Sequence, residues 1–522
     1  MKNKIFATIA SLALIATSCD FSDFGDINVN PNSPSQPNTG MLFTYACMYA
    51  RNFIMTSNSY DPWPVLYTGY IAECKNNQYG GLTTTESYNT RDYYLRVMRQ
   101  LNTIVSLNED EATANEVYVT AFGSSTNQIA AATTLKAFYM MTLTDIVGPL
   151  PYSEAFKGEP DGNWTPKFDS VEDIYAQLND ELASAYSKFD ESGSLSSYDI
   201  FYGGDISKWK KFNATLRMLM AIKLADVATD VGRERFAKAY SDGGMVDVGD
   251  GLNYTFSTNT NVEDGSTQTY YAWFYYVGNA GYAQRGLGFS PNKFIVDGLK
   301  EYKDPRMFTY FTTNGYLGQV VDADGNAVDP ESFDSYNGVT YGLISNDAVR
   351  AEAENACSVA DKYCEINAAY GLITTARCLL VEAEAAQLGW ISESASTLYE
   401  AGIRASFDYN GATGVDDYIA AHPLPSDKTN ALKEIVMQRW FDGFLTDEIE
   451  IWSDWRRYNV PSLPLTEYQK ESCKAETYPY RLIYYDDDRN YNIDNYNECI
   501  NTYFSGNDSR WQRIWWDVAD NE

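Results

Sequence analysis

Two stretches of the chain combine flat aromatic rings with amide side chains, which is the chemistry that a sugar-binding site needs. Rings stack on the apolar C–H faces of a pyranose, and amides or carboxylates fix its hydroxyl groups. The candidate ligand-binding residues in the denser stretch, residues 270–282, are Tyr271, Trp273, Tyr275, Asn279 and Tyr282. Those in the second stretch, residues 60–78, are Tyr60, Trp63 and Asn77.

The denser stretch has two competing interpretations. If residues 270–276 form a strand, alternate side chains face opposite sides. Tyr271, Trp273 and Tyr275 then make one platform, and the rings between them pack inward. The alternative is an aromatic edge strand whose rings are buried against helices.

Carboxylate pairs are the groups closest to a catalytic site. Glu382 with Glu384, and Glu448 with Glu450, have the residue types of a glycoside hydrolase pair. Residues two positions apart on a helix point to different sides, so surface charge or a buried arginine partner explains them better. A nucleophilic triad needs a base, and His422 is the only histidine. We therefore expect a protein without catalytic residues.

Metal and cofactor sites are not expected either. Residues 322–329 (DADGNAVD) space oxygen ligands as a calcium loop does, but their glycine comes too early for an EF-hand, and a solvated turn is favoured. No CxxC pair or histidine cluster predicts zinc. Seven cysteines follow Cys19, so at least one is unpaired, and the pairing of the others stays open.

The N-terminal residues have the features of an export signal. Lys2 and Lys4 precede an apolar run, residues 5–16, which is too short to span a membrane. Small residues then lead to Cys19, which resembles a bacterial lipobox whose cysteine is acylated after residues 1–18 are removed. Residues 19–40 are predicted to be the lipid anchor and an extended linker.

Charge excludes one class of partner. The chain of 522 residues carries 39 Lys and Arg against 71 Asp and Glu, a net charge of −32. This charge repels phosphate backbones, so nucleic acid is not expected as a partner. Aromatic residues make up 15% of the chain, which suits either surfaces for amphipathic ligands or a large core.

The elements that position the candidate stretches are mainly helices. Residues 41–229 and 366–460 have helical periodicity, and residues 230–365 are loop-rich, with turn signals and few short strands. Residues 461–522 are irregular and aromatic.

Apolar spacing predicts where the helices lie. The predicted ranges are 41–57, 91–108, 125–143, 170–189, 207–228, 367–389, 394–407 and a helix from 430 that runs on until Pro461 stops it. Small residues along 394–407 would let two helices approach closely. The last tryptophans, Trp511, Trp515 and Trp516, are expected to seal the C-terminus onto the core.

Motifs spread over nearly the whole chain resemble the SusD/RagB outer-membrane lipoproteins of Bacteroidetes. They are residues 145–155 (DIVGPLPYSEA), 209–217 (WKKFNATLR), 304–307 (DPRM), 382–390 (EAEAAQLGW), 438–444 (QRWFDGF), 452–461 (WSDWRRYNVP) and 481–485 (RLIYY). The resemblance implies a mainly α fold of tetratricopeptide-like helix pairs, with a loop-rich part that carries ligand contacts. It also implies a SusC-like TonB-dependent transporter as partner. The family's ligand-binding aromatics do not align by motif, so no binding residue is transferred.

Together these features predict a lipid-anchored protein of the outer membrane that faces the cell exterior. It would bind oligosaccharide or polysaccharide and deliver it to the transporter. One alternative is a peptide-capturing lipoprotein of the same architecture, since the acidic balance favours basic peptides. Another is a structural lid on the transporter without a ligand site of its own.

Overall fold

The computed structural model describes residues 38–53, 63–74, 80–82, 87–256, 275–277, 283–285, 288–315, 318–365 and 368–518. The predicted export signal, Cys19 and the linker up to residue 37 lie outside these residues.

Helices dominate the described chain, which confirms the predicted mainly α fold. They are α1 Thr39–Tyr49, α2 Trp63–Tyr67, α3 Arg91–Tyr93, α4 Arg99–Glu109, α5 Val117–Thr120, α6 Ser125–Val147, α7 Gly158–Asp161, α8 Val171–Lys188, α9 Ile206–Ile222, α10 Thr229–Asp242, α11 Lys293–Glu301, α12 Met307–Tyr310, α13 Asn346–Ala353, α14 Asp361–Cys364, α15 Thr375–Leu388, α16 Ala395–Asn410, α17 Val415–Ala421, α18 Lys428–Asp442, α19 Glu448–Tyr458, α20 Asp486–Tyr491 and α21 Ile493–Tyr503. None of them is long and apolar enough to cross a lipid bilayer.

The helices pack in pairs, α6 with α8, α9 with α10, and α15 with α16. The side chains of Thr374 and Ser394 cap the first turns of α15 and α16 by accepting hydrogen bonds from backbone N–H groups. Gly389 ends α15 with a φ of +80°, which an L side chain rarely adopts. Gly402 allows the close approach that the sequence predicts, because a Cβ there would lie 2.6 Å from Cγ of Leu380.

The strands are short and pair two by two. They are β1 Ile71–Glu73, β2 Ser87–Tyr88, β3 Leu252–Thr255, β4 Tyr275–Val277, β5 Ala283–Arg285, β6 Phe289–Pro291, β7 Phe311–Thr312, β8 Asn314–Gly315, β9 Gly318–Gln319, β10 Ser358–Val359, β11 Ala369–Ile373 and β12 Ile483–Tyr484. The pairs β1–β6, β3–β11, β4–β5, β7–β10 and β8–β9 are antiparallel, and β2–β12 is parallel.

The structure differs from the sequence prediction in several places. Residues 369–373, the predicted start of the helix 367–389, form strand β11, and the C-terminal part that is expected to be irregular contains α20 and α21. Helices α10, α11 and α13 lie in the part that was expected to be loop-rich. Helix α10 buries only Gly232, Phe236 and Ala239, so its apolar stripe is too narrow to give a strong periodic signal. The helix from residue 430 does not run on to Pro461, since residues 443–447 break it and Asp447 adopts a φ of +50°.

Most aromatic rings of the described chain lie in the core, which extends from Phe43 to Trp516. Trp516 is buried, and its indole N–H donates to Asp145 Oδ1 at 2.8 Å. Trp511 and Trp515 pack on the same core while remaining half-buried. The predicted sealing of the C-terminus is confirmed.

Candidate ligand-binding face

Most of the candidate ligand-binding residues lie outside the described residues. They are Tyr60, Asn77, Tyr271, Trp273, Asn279 and Tyr282. Tyr275 begins β4, whose backbone pairs with β5 so that Tyr275 lies opposite Arg285. Residues 275–277 therefore have the extended backbone that the platform interpretation requires, and the platform itself stays a prediction.

Trp63 is described, and its position contradicts a role in ligand stacking. Its side chain is 0% exposed at the start of α2. The indole packs edge-on against Trp452 at a centroid distance of 5.0 Å and lies 5.9 Å from the ring of Tyr67. Neither face is open to a sugar, so Trp63 is a core residue. The apolar run that follows it, residues 64–67, is the sequence signal for this burial.

The strand pair β1–β6 brings the two candidate stretches to one edge of the fold. Glu73 at the end of β1 lies opposite Phe289 at the start of β6, and the N–H of Cys74 donates to the carbonyl of Gly288 at 2.7 Å. The second stretch continues from Cys74, and the denser stretch returns to the fold at Gly288. Stretches more than 190 residues apart in sequence thus join the described fold side by side.

The described chain before the denser stretch is also paired. Its last residue, Phe256, donates its N–H to the carbonyl of Ala368 at 3.3 Å as an extension of the β3–β11 pair. The ring of Phe256 packs edge-on against Tyr370 at 5.8 Å. Phe256 and Gly288, the described residues nearest this part of the chain on either side, therefore both make backbone hydrogen bonds.

A layer of buried aromatic residues supports the β1–β6 edge. Tyr70 precedes β1, stacks on Trp440 at 5.8 Å and donates its hydroxyl to the carbonyl of Trp440 at 2.6 Å. The indole N–H of Trp440 in turn donates to the carbonyl of Thr68 at 2.8 Å. Phe444 links Tyr70 to Tyr310, which it stacks on at 4.9 Å. These reciprocal bonds fix the position of the edge, because the rings of Tyr70 and Trp440 each have a packing contact and a hydrogen-bond partner.

Asp145, the first residue of the motif 145–155, lies in a buried cluster of charges. Lys223 of the segment after α9 donates to Asp145 Oδ2 at 2.6 Å and to Glu450 Oε1 at 2.7 Å. Burial alone would lower the pKa of Lys223, but the charges of Asp145 and Glu450 raise it. Tyr175 and Trp516 donate to the remaining oxygen of Asp145. This cluster joins α6, α8 and α19 to the C-terminal segment.

Glu384 is the centre of a second cluster, which confirms the interpretation that a buried arginine partner explains it. It accepts from Arg439, from Arg457 at 2.7 Å and from the Tyr458 hydroxyl at 2.6 Å. Burial would raise its pKa, but the charges of Arg457 and Arg439 and these hydrogen bonds outweigh burial and lower the pKa to about 2. A carboxylate held in this way is a structural counter-ion.

Arg377, Asp447 and Asp454 belong to the same network, and sequence reasoning missed them. Arg377 pairs with Asp447 at 2.6 Å and with Asp454, while Arg439 also reaches Asp454 at 2.9 Å. The signal that was available is a charge on an otherwise apolar face of α15, since Leu380 and Val381 follow Arg377 at helical spacing. Asp447, where the chain leaves helical geometry, is thus also a member of the network.

Glu382, two residues before Glu384, is buried without such partners. Among the described residues, it accepts one side-chain hydrogen bond, from the thiol of Cys378 at 3.8 Å. Burial raises the pKa of Glu382 to about 7, and the hydrogen bond from Cys378 reduces that effect only in part. The pKa values of two glutamates on one helix are therefore shifted in opposite directions, upward for Glu382 and downward for Glu384.

We expect Glu382→Gln to stabilise the protein at pH 8 and not at pH 4.5. The folded pKa of about 7 exceeds the ordinary 4.5, so ionising Glu382 costs the folded state stability as pH rises between these values. The gain at pH 8 is up to about 3 kcal/mol. Urea unfolding of the variant and the wild type at both pH values measures this gain in the free energy of unfolding. A gain of equal size at pH 4.5 and pH 8 would contradict a raised pKa for Glu382.

One small cavity and one acidic turn in the described part lack the features of a ligand site. A cavity lined by Phe138, Thr142, Asp447 and Glu450 has a volume of about 30 Å³, which is room for about two water molecules. Asp322 Oδ1 accepts from the N–H groups of Asp324 and Asn326 at 2.9 Å each, so the segment is the turn that the sequence favours. No group of three or more metal-ligating residues occurs among the described residues.

Solved structures share this fold. A SusD homologue from Bacteroides fragilis is 21% identical, with a TM-score of 0.73 over 91% of this chain and 100% of that chain. A chitin-binding SusD homologue from Flavobacterium johnsoniae is 22% identical, with a TM-score of 0.70 over 92% of this chain and 100% of that chain. No functionally curated protein matches the chain in sequence.

The sequence profile of a SusD-like family, described as starch-binding and associating with the outer membrane, matches residues 31–485. This match includes the β1–β6 edge, both candidate stretches and most of the buried charge network. The chain belongs to the SusD-like family.

Proposed function

We propose that this protein captures oligosaccharide or polysaccharide at the outer membrane and delivers it to a SusC-like TonB-dependent transporter. The observation that carries the proposal is the β1–β6 pair, which joins two stretches rich in aromatic and amide residues to one supported edge. The description of the family as starch-binding and the chitin-binding relative support a glycan as the ligand.

The supported edge suits capture followed by release. The aromatic layer that contains Tyr70 and Trp440 is held by reciprocal hydrogen bonds, so the edge itself needs no reordering when a ligand binds. Stacking on a few rings with a few hydrogen bonds gives moderate affinity, and differences in affinity come mostly from dissociation rates. A ligand held in this way can pass on to a transporter without a covalent step.

The lipid anchor and the partner belong to the same proposal. Acylation of Cys19 would hold the body at the membrane, because each buried methylene contributes about 0.8 kcal/mol. Residues 19–40 would then give the body reach over a transporter that it caps from the exterior side. Membrane partitioning of the full chain and of a Cys19→Ser variant tests the anchor.

A binding screen of residues 20–522 tests the function directly. Affinity electrophoresis against a panel of neutral polysaccharides, followed by calorimetry, is expected to show selective binding to one of them. The same protein is then offered peptides from digested protein, both basic and acidic. Binding only to peptides would replace the glycan with the peptide alternative. No binding to either would favour a structural lid.

Within the denser stretch, Trp273→Ala is expected to weaken glycan binding by about tenfold or more, the usual cost of losing a central aromatic anchor. If Trp273 is part of an exposed platform, the melting temperature of the Trp273→Ala variant differs from that of the wild type by no more than a surface substitution would cause. Calorimetric titration and thermal unfolding measure the two effects. A large fall in melting temperature would instead assign Trp273 to a buried edge strand.

A further inference from the structure

The loop of residues 152–169 is closed tightly at its base. The N–H of Asp169 donates to the carbonyl of Leu150 at 3.0 Å. In return, the Asp169 carboxylate accepts from the N–H groups of Tyr152 at 2.9 Å and Ser153 at 2.7 Å, and from the Ser153 hydroxyl at 2.7 Å. A surface loop whose ends meet in this way is compact, and such loops frequently carry function.

A second carboxylate fixes the middle of the loop. Glu154 Oε2 accepts from the side-chain amide of Asn163 and from the N–H of Lys167, both at 3.1 Å. These hydrogen bonds, first that of Lys167 and then that of Asn163, lower the pKa of Glu154. Within the described part of the chain, Glu154 Oε1 accepts no hydrogen bond, and the residue is half-buried.

The loop is also attached to the C-terminal helices. The side-chain amide of Asn492 donates to the carbonyl of Pro166 at 2.6 Å, and that of Asn495 donates to the carbonyl of Thr165 at 2.8 Å. The residues on either side of Trp164 are therefore held, by Glu154 through Asn163 and by Asn495 through Thr165.

Trp164 is the exposed tryptophan of the described chain. Its side chain is 72% exposed, whereas the other tryptophans described are buried or half-buried. One side of the indole lies on the backbone of Gly158, where a Cβ would come within 2.6 Å of Cε3 and 2.7 Å of Cζ3. Glycine at position 158 thus lets the ring approach the backbone closely, and the exposure of 72% leaves most of the indole open to solvent.

From this geometry we infer that Trp164 and Glu154 form a separate glycan-binding site, which takes neutral pyranose units of a polysaccharide. The open indole stacks on the sugar, and Glu154 Oε1 and the Asn163 amide lie in the same loop to accept and donate hydrogen bonds to hydroxyl groups. The protein's net charge of −32 disfavours anionic glycans. The inference rests on the proposed glycan-binding function but uses none of its candidate residues.

A site built on one ring is weak by itself, so its effect depends on the length of the ligand. A polysaccharide long enough to span this site and the β1–β6 edge gains overall affinity from the second site without any new contact. A short oligosaccharide occupies one site at a time and gains nothing from the pair. We therefore expect the two ligand lengths to respond differently to loss of Trp164.

The test compares Trp164→Ala with Val117→Ala, a control at a side chain that is 79% exposed. On the polysaccharide that the wild type binds, Trp164→Ala is expected to bind at least about fivefold more weakly, while binding of a short oligosaccharide and the melting temperature stay unchanged. Val117→Ala is expected to match the wild type in all three measurements. If Trp164→Ala binds the polysaccharide as tightly as the wild type, the inference is overturned and the proposed function stands. If the wild type binds no polysaccharide, both are overturned.

Fluorescence of the unmodified chain provides a second readout. Acrylamide quenches exposed tryptophans, so the Trp164 contribution is the part of the quenching that a Trp164→Phe variant lacks. Saturating polysaccharide is expected to protect this contribution. Unchanged quenching of it in the presence of bound polysaccharide overturns the inference, even if Trp164→Ala proves unstable.

Discussion

Glu384→Gln is expected to lower the free energy of unfolding by about 3–5 kcal/mol at pH 7, the usual cost of removing one partner of a buried ion pair. The carboxylate is fully buried and holds Arg439 and Arg457 together. An amide of the same size leaves the shape of the site intact but cannot neutralise two guanidinium groups. Urea unfolding at pH 7 measures the loss, and Glu393→Gln on the exposed loop after α15 is the control, with an expected change within about 0.5 kcal/mol.

The pH dependence of Glu384 separates this electrostatic role from simple packing. Its folded pKa of about 2 lies below the ordinary 4.5, so its contribution is present above pH 4.5 and is lost as pH falls from 4.5 towards 2. The difference between the wild type and Glu384→Gln should therefore shrink as the pH is lowered through this range. A difference that stays constant down to the acid limit would show that packing, not charge, accounts for the loss.

The contrast between Glu382 and Glu384 shows what the sequence can and cannot predict. The end of helix α15 at Gly389 follows from turn chemistry, which acts locally, whereas its start is predicted at residue 367 and lies at Thr375, after strand β11. The arginine partners of Glu384 come from α18 and α19, more than 50 residues away, so only the fold decides which carboxylate finds an arginine. For such a pair the sequence predicts either surface charge or a buried arginine partner, but not which residue has it.

The candidate site shows the same division. The aromatic and amide composition of the two stretches is local and could be read directly. Their convergence depends on β1–β6, a pair of three-residue strands that no periodic pattern reveals. Composition also cannot separate a stacking ring from a core ring, since both are tryptophan beside other aromatic residues. The sequence interpretation therefore places Trp63 in the ligand site, although it is 0% exposed. It overlooks Trp164, which is 72% exposed.

Trp63→Ala is expected to lower the free energy of unfolding by about 3–5 kcal/mol, because it removes a fully buried indole and leaves a cavity. The neighbours that would line this cavity are Tyr67, Tyr88 and Trp452, whose rings are already fixed by other contacts and cannot fill the space. Trp63→Phe keeps an aromatic ring in the same packing and should lose much less.

Thermal and urea unfolding measure these changes, and glycan affinity is measured at a temperature where each variant remains folded. Trp63 is the point at which the structure and the sequence interpretation disagree, so the outcome decides between them. A folded Trp63→Phe variant with wild-type affinity is expected, since the ring has no face open to ligand. Weaker binding with unchanged stability would instead return Trp63 to the ligand site and require the β1–β6 edge to open around α2.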